Sequence, residues 1–209
     1  MEHLQGAKKA LIELLKTKGI TDQKVLSAFD KVERHLFVES FMWRYAYDDI
    51  ALKIYCDQTI SQPYTVAFQT QLLEVESGDK ILEVGTGSGF QAAILSCLGA
   101  KVYSIERHRE LFSKTKLLLE ELDDSIFLFY GDGFDGLPRH APFDKIIVTC
   151  GVEELPLSLV KQLKIGGKIV IPIGNETQIM KRFTKKEDGN LKEEIFGDFI
   201  FVPMLRNTK

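Results

Sequence analysis

Apolar positions in the first thirty residues recur at helical spacing. Leu4, Ala7, Leu11, Leu14 and Leu15 fall on one helix face, and Gly19 supplies its stop. Thr21 can cap a second helix whose inward face is Val25, Leu26, Phe29 and Val32. The aromatic-rich stretch FMWRYAYDD reads as irregular. Pro63 suits the first turn of a third helix through YTVAFQTQLLEV, with Val66, Ala67, Thr70 and Leu73 turned inward.

From Asp79 the texture changes to alternation. KILEVG (80–85), KVYSIE (101–106), IFLFYG (126–131) and FDKIIVTC (143–150) read as strands. Between them lie the helices FQAAILSCLG, closed by Gly99, and RELFSKTKLLLEEL. Pro156 opens a short helix, LSLVKQL, before Gly166-Gly167 and the strand KIVIPIG; two more strands are expected near 178–185 and 195–203. Short, nearly continuous apolar strands alternating with helices mark a parallel sheet covered on both faces. The prediction is a doubly wound, Rossmann-like α/β fold. Residues 1–78 form a helical cap and substrate-binding segment, and residues 79–209 form the core, packed as one unit.

Composition narrows the classes. A chain of 209 residues, 44% hydrophobic, can build one good core. The formal charge of −3 and pI near 5.9 count against a general nucleic-acid binder. Lys181, Arg182, Lys185 and Lys186 read as a solvated hairpin face. No apolar run approaches the ~18 residues of a membrane span, and MEHLQGAKKA lacks the apolar core of a secretion signal, so a cytoplasmic protein is expected. Cys56, Cys97 and Cys150 are scattered, and His3, His35, His108 and His140 show no ligand spacing. No metal site is expected, and the histidines are expected at the surface.

The chemistry concentrates in ILEVGTGSGFQ (81–91). In doubly wound sheets ligands sit beyond the carboxyl ends of the strands, and the first strand-to-helix turn is the usual place. Gly85, Gly87 and Gly89 let a ligand approach the main chain. A phosphate loop fails because no lysine follows, and the dinucleotide fingerprint fails because its third glycine falls at Phe90. A serine-hydrolase elbow on Ser88 fails because Thr86 and Phe90 stand where glycines are needed. An acid, one residue, then G-x-G-x-G remains, and this resembles the first motif of S-adenosylmethionine-dependent methyltransferases. Glu83 at the strand end suits a methionyl ammonium, directly or through water. Glu106, about twenty residues on from Gly85, closes the second strand where a carboxylate can bind ribose hydroxyls. Asp132 after the third strand can accept an adenine amino group, while Gly133 admits the ring.

No D/N-P-P-Y motif follows the fourth strand, which weakens a nucleic-acid amine substrate. YDDIALKIYCDQTISQPYTVAFQ, VERHLFV, LEVGTGSGFQAA, YGDGFDGLPRHAPFDKIIVT, QLKIGGKIVIPIG and the closing FVPM together look like the protein-L-isoaspartate O-methyltransferase family, over nearly the whole chain from about Val25. The departures are VERHLF in place of a proline-arginine pair and FVPM in place of a leucine ending. The resemblance implies methylation of the free α-carboxylate of L-isoaspartyl residues, with S-adenosyl-L-methionine giving S-adenosyl-L-homocysteine. The ester then cyclises to succinimide and reopens partly to aspartate. It implies Ser61 as the active-site residue, orienting the carboxylate, with Gln58, Thr59 and Ile60 lining the methionine end of the cofactor. Considered alone, Ser61 could equally cap the helix that begins at Pro63. Isoaspartyl proteins and peptides are the implied partners, with neither nucleic acid nor membrane, and a monomer is expected. Two other readings stay open: a methyltransferase of another specificity on this scaffold, and a catalytically silent cofactor-binding adaptor.

Overall fold

The computed structural model describes residues 2–122 and 125–209. Helix α1 (Glu2–Thr17) buries Leu4, Leu11 and Leu15 while Leu14 stays exposed. It ends at Gly19, which takes φ +93°, and Ile20 N donates back to Leu15 O. Helix α2 (Gln23–Lys31) is capped by Asp22, not Thr21: the Asp22 carboxylate accepts from the N–H groups of Lys24 and Val25. Thr21 and Asp22 instead donate their backbone N–H groups to Gln71 Oε1, tying this corner to α3. Val32 falls just past the end of α2, so its buried face is Val25, Leu26, Ala28 and Phe29. The aromatic stretch forms a 3-10 helix, Ser40–Tyr45. A two-stranded ribbon, β1 (Leu52–Lys53) with β2 (Thr59–Ile60), leads into α3 (Pro63–Leu73). Apolar packing surrounds most of α3, burying Val66, Ala67, Thr70 and Leu73 as the pattern required.

The main sheet runs β3 (Lys80–Val84), β4 (Lys101–Glu106), β5 (Ile126–Tyr130), β6 (Phe143–Val148), β7 (Leu163–Ile173), β8 (Gln178–Lys185) and β9 (Leu191–Phe199). Its spatial order is β5-β4-β3-β6-β7-β8-β9. The strands β3 to β7 are parallel, and β8 and β9 add on antiparallel. Helices α4 (Phe90–Cys97), α5 (Arg109–Leu122) and α6 (Leu157–Lys161) complete the alternation. The chain fills one side of β3 and then crosses to β6 on its other side, so strand order reverses between these two. A ligand crevice is expected outside their carboxyl ends.

Alternate residues of each strand face opposite sides. Ile81, Val102, Ile147 and Val170 join one cluster with residues of α1, α2, α3 and α4. Leu82, Ile146 and Ile169 join another with Leu159 and Leu163. The N-terminal helices therefore share their core with one face of the sheet.

Two boundaries differ from the pattern. Gly166 and Gly167 do not precede a strand but lie inside β7, where the ladder to β6 shifts register between Phe143 and Lys145. A Cβ on Gly167 would lie 2.7 Å from Asp144 O, so the glycine permits the close approach of β6. The last strand starts at Leu191 instead of 195, because its charged residues pair across the hairpin: Lys181 with Glu193 at 2.6 Å and Arg182 with Glu194 at 3.0 Å. The basic residues of β8 are thus not a freely solvated face. Lys185 donates to Val160 O and Leu163 O, and Lys186 alone of the four is exposed.

Candidate active site

A cavity opens at the predicted crevice. Its walls are Gln58–Ser61, the turn Val84–Ser88, Ile105–His108, Gly133, Thr149–Cys150 and the tail segment 202–205. The structure thus brings Gln58, Thr59, Ile60, Ser61, Gly85, Gly87, Glu106 and Gly133 to one site. Glu83, Gly89 and Asp132 stand behind its walls.

Three glycines shape the turn, each for a different reason. Gly85 (φ +95°) would carry a Cβ 2.5 Å from Thr149 Oγ1, so it lets β3 pass β6. Gly87 (φ +53°) faces open space, with nothing nearer than Ile54 Cδ1 at 3.8 Å. Gly89 (φ +88°) packs against α5, where a Cβ would meet Thr115 Cγ2 at 2.9 Å. Gly89 is therefore required by helix packing and does not line the cavity.

The three acids at the strand ends behave differently. Glu106 accepts the Gly87 N–H (3.0 Å) on one oxygen and the His108 N–H (2.9 Å) on the other, which closes the glycine turn onto β4. Glu83 is fully buried. One of its oxygens accepts from Ser104 Oγ and the other has no partner. Burial pushes its carboxyl up to about 8, against the Ser104 hydrogen bond and with the help of the Glu106 charge. Asp132 accepts the Phe134 N–H (2.8 Å) and the Asn207 N–H, so it braces the 133–134 turn and the tail together.

A second, more open cavity adjoins the first. Thr59, Ser61, Thr149 and Val202 line both. Thr149 Oγ donates to Gly85 O (2.6 Å) and Val84 O (3.0 Å), so its single proton is committed. Ser61 makes no side-chain hydrogen bond among the described residues, and the helix N-cap after it is Gln62, also without a side-chain capping bond. Ser61 Oγ is therefore not capping α3 and is left to meet a ligand.

Several lining residues had escaped the sequence. His108 is buried at this wall, its pKa lowered chiefly by desolvation, and His35 is buried against Tyr47. His140 is half-buried, tilted against Phe129 with ring centroids 4.7 Å apart. Only His3 is exposed as expected. Cys150 is buried, with its thiol raised to about 12, so it serves as an apolar wall. The tail crosses the cavity because Gly151 N donates to Val202 O and Met204 N donates to Gly151 O. FVPM was the only signal for it, and it carries no periodicity. No group of three or more potential metal ligands occurs among the described residues.

Against known families, residues 6–209 match the model of protein-L-isoaspartate(D-aspartate) O-methyltransferase. The protein-L-isoaspartate O-methyltransferase of Flavobacterium psychrophilum is 54% identical over 204 residues, covering 97% of this chain and 96% of that one. That of Salinibacter ruber is 46% identical over 95% of this chain and 91% of its own length. A solved protein-L-isoaspartate O-methyltransferase superposes with a TM-score of 0.87 at 31% identity; it covers 96% of this chain, which spans 66% of that longer one. A Plasmodium falciparum protein of that description, solved with S-adenosyl-L-homocysteine, gives 0.83 at 25% identity, covering 95% of this chain and 98% of its own. A turn shaped for close approach, a hydroxyl on the wall between two cavities and a match over nearly every residue lead to one conclusion: this chain belongs to the protein-L-isoaspartate O-methyltransferase family.

Proposed function

We propose that this protein methylates the free α-carboxylate of L-isoaspartyl residues in damaged proteins and peptides. S-adenosyl-L-methionine is the donor, and S-adenosyl-L-homocysteine is the product. The observation that carries this reading is the placement of Ser61 on the wall shared by the cofactor cavity and its neighbour. The donor fits the first cavity on chemical grounds. Glu83 Oε1 and Gln91 Oε1 are buried acceptors with no partner, and an ammonium brings the donors they lack. When bound, this cofactor supplies a methyl group on a positively charged sulfur, open to in-line displacement.

The residues of the chain then do the following. Gly85 and Gly87 bring the main chain against the cofactor, with Gln58, Thr59 and Ile60 on the opposite wall at its methionine end. Glu106 presents its remaining acceptor capacity to the ribose. Asp132 holds Gly133 and the tail around the adenine, and Gly89 keeps α4 and α5 in place behind the turn. Ser61 donates its hydroxyl to the substrate carboxylate and aligns it. No general base is needed, because an α-carboxylate has a pKa of about 3.3–3.7 and is already ionised. Alignment alone can contribute roughly 7–11 kcal/mol of barrier reduction. The ester then cyclises to succinimide without help from the protein. In this reading residues 1–78 form the cap and substrate segment, residues 79–209 hold the cofactor, and the protein is a cytoplasmic monomer. No helix among the described residues is long and apolar enough to cross a membrane.

The test uses labelled cofactor and two peptides differing only in aspartyl or isoaspartyl linkage. Base-labile methyl ester on the isoaspartyl peptide alone is expected. Transfer to neither peptide, with cofactor still bound, would instead favour the silent adaptor. In the same assay Ser61→Ala should lower kcat up to about 100-fold, the scale of a misaligned nucleophile, with cofactor Kd within twofold of wild type. An unchanged kcat removes Ser61 from the mechanism. Asp132→Ala should weaken cofactor binding about tenfold by calorimetry, since a half-buried acceptor for two N–H groups is lost. Equal affinity in the two proteins would refute its place at the adenine.

A further inference from the structure

Ser61 lies two residues before a helix whose first turn must find partners for its free N–H groups. Pro63 at the first helical position removes one such donor. Neither Ser61 nor Gln62 supplies a capping oxygen to the next. Asp49 supplies it from a different part of the chain. Its Oδ1 accepts the Tyr64 N–H at 2.8 Å. Its Oδ2 accepts from Gln62 Nε2 at 3.1 Å and from Lys18 Nζ at 2.6 Å, and its carbonyl accepts from the same Gln62 amide at 2.9 Å. The Asp49 side chain is only 6% exposed, although it reaches the wall of the second cavity.

From this arrangement we propose that Asp49 is a positioning residue for methyl transfer, acting through Ser61. It holds the chain just after the reacting hydroxyl: the Gln62 side chain and the Tyr64 main chain converge on one carboxylate. An N-cap side chain ordinarily turns its oxygen back onto the N–H groups of the first turn. Here Gln62 holds that position and gives its amide to Asp49, the Asp49 carboxylate takes the Tyr64 N–H, and Ser61, one residue earlier, lies at the wall between the cavities. Lys18, just past α1, anchors the carboxylate and lies 5.4 Å from the centre of the Tyr64 ring, but it makes no hydrogen bond to the main chain of residues 61–64, whose path is set by Asp49.

The inference rests on the proposed function for its kinetic arm and is independent of it for its structural arm. The variants are Asp49→Ala, Asp49→Asn and Lys18→Met, compared with wild type. Hydrogen exchange on the cofactor-free proteins needs no turnover. In Asp49→Ala the amides of 62–66 should exchange at least tenfold faster while those of 85–89 keep the wild-type rate. Asn retains one acceptor for the Tyr64 N–H and should restore most of this protection. In the isoaspartyl-peptide assay Asp49→Ala should lose at least 30-fold in kcat with cofactor Kd within threefold, Asp49→Asn should recover part of the loss, and Lys18→Met should stay within twofold. Unaltered exchange at 62–66 in Asp49→Ala overturns the proposal even if no variant turns over. So does a kcat loss that Lys18→Met shares in proportion to a lowered melting temperature. An inactive wild type with the expected exchange pattern would count against the proposed function and leave the positioning role of Asp49 supported.

Discussion

Glu83→Gln will bind S-adenosylmethionine more weakly than wild type, yet without cofactor it will be the more stable protein above pH 8. Both effects come from one buried carboxyl. Its pKa is about 8 in the folded chain against an ordinary 4.5, raised first by burial. A folded-state pKa above the unfolded value means that the native state binds the extra proton between those limits. The stability this contributes is complete below about pH 4.5, falls as pH rises towards 8 and is gone above it. Linkage makes the swing at most about 5 kcal/mol, and a neutral glutamine does not undergo it. Melting curves of the two proteins should therefore lie close together at pH 5 and separate by several degrees at pH 9, glutamine melting higher. Cofactor binding runs the other way. A charge-assisted bond to an ammonium is worth about 1.5–3 kcal/mol, so Kd should rise roughly 10–150-fold. Below pH 8 binding to wild type should release a proton, visible in calorimetry as a dependence of the heat on buffer. Wild-type affinity in Glu83→Gln would move the ammonium elsewhere.

The second large effect is at Gly85. Alanine there faces two penalties at once. Its φ of +95° lies in the region that L side chains avoid, and its Cβ would stand 2.5 Å from Thr149 Oγ1. Thr149 cannot turn aside cheaply, because its hydroxyl is bonded to Val84 O and Gly85 O on the strand it would have to leave. The turn must move instead, taking the cavity wall with it. Gly85→Ala should lose at least 100-fold in cofactor affinity and several degrees of melting temperature. Gly87→Ala is the instructive control. Its φ of +53° carries a left-handed cost of about 1–2 kcal/mol, but its added methyl meets nothing closer than 3.8 Å, so it should melt above Gly85→Ala while occupying ligand space. If Gly85→Ala melts and binds as wild type does, the clash argued at Thr149 is absent.

How far the sequence foretold these features depends on the range of the forces involved. Periodicity located α5 because it buries a regular stripe, and β3, β4 and β6 because both faces of each strand are covered, whereas α3 is buried nearly all round and β5 is a half-exposed edge strand. It missed the start of β7, where local glycine chemistry reads as a turn and only the neighbouring strand makes it a bulge. It placed the cap of α2 one residue early, since Thr21 and Asp22 are both competent and the contact with Gln71 decides between them. The site was legible where residues are consecutive, as in Gln58–Ser61 and the glycine turn. Partnerships across the fold were not. Nothing local marks Asp49 as the cap of a helix 14 residues on, the number separating it from Pro63. Nor does anything local mark His108 as buried, or place Glu83 and Asp132 behind the residues that line the cavity.

The cofactor cavity draws its walls from Gln58 at one extreme and Leu205 at the other. A ribosome delivers those walls in order, with well over a hundred residues between the first and the last. A nascent chain that has already folded its glycine turn still lacks the tail segment that spans the opening. Saturating cofactor can therefore do little to guide the early stages of synthesis, and its stabilising influence must arrive late, once the final crossing over Gly151 is made.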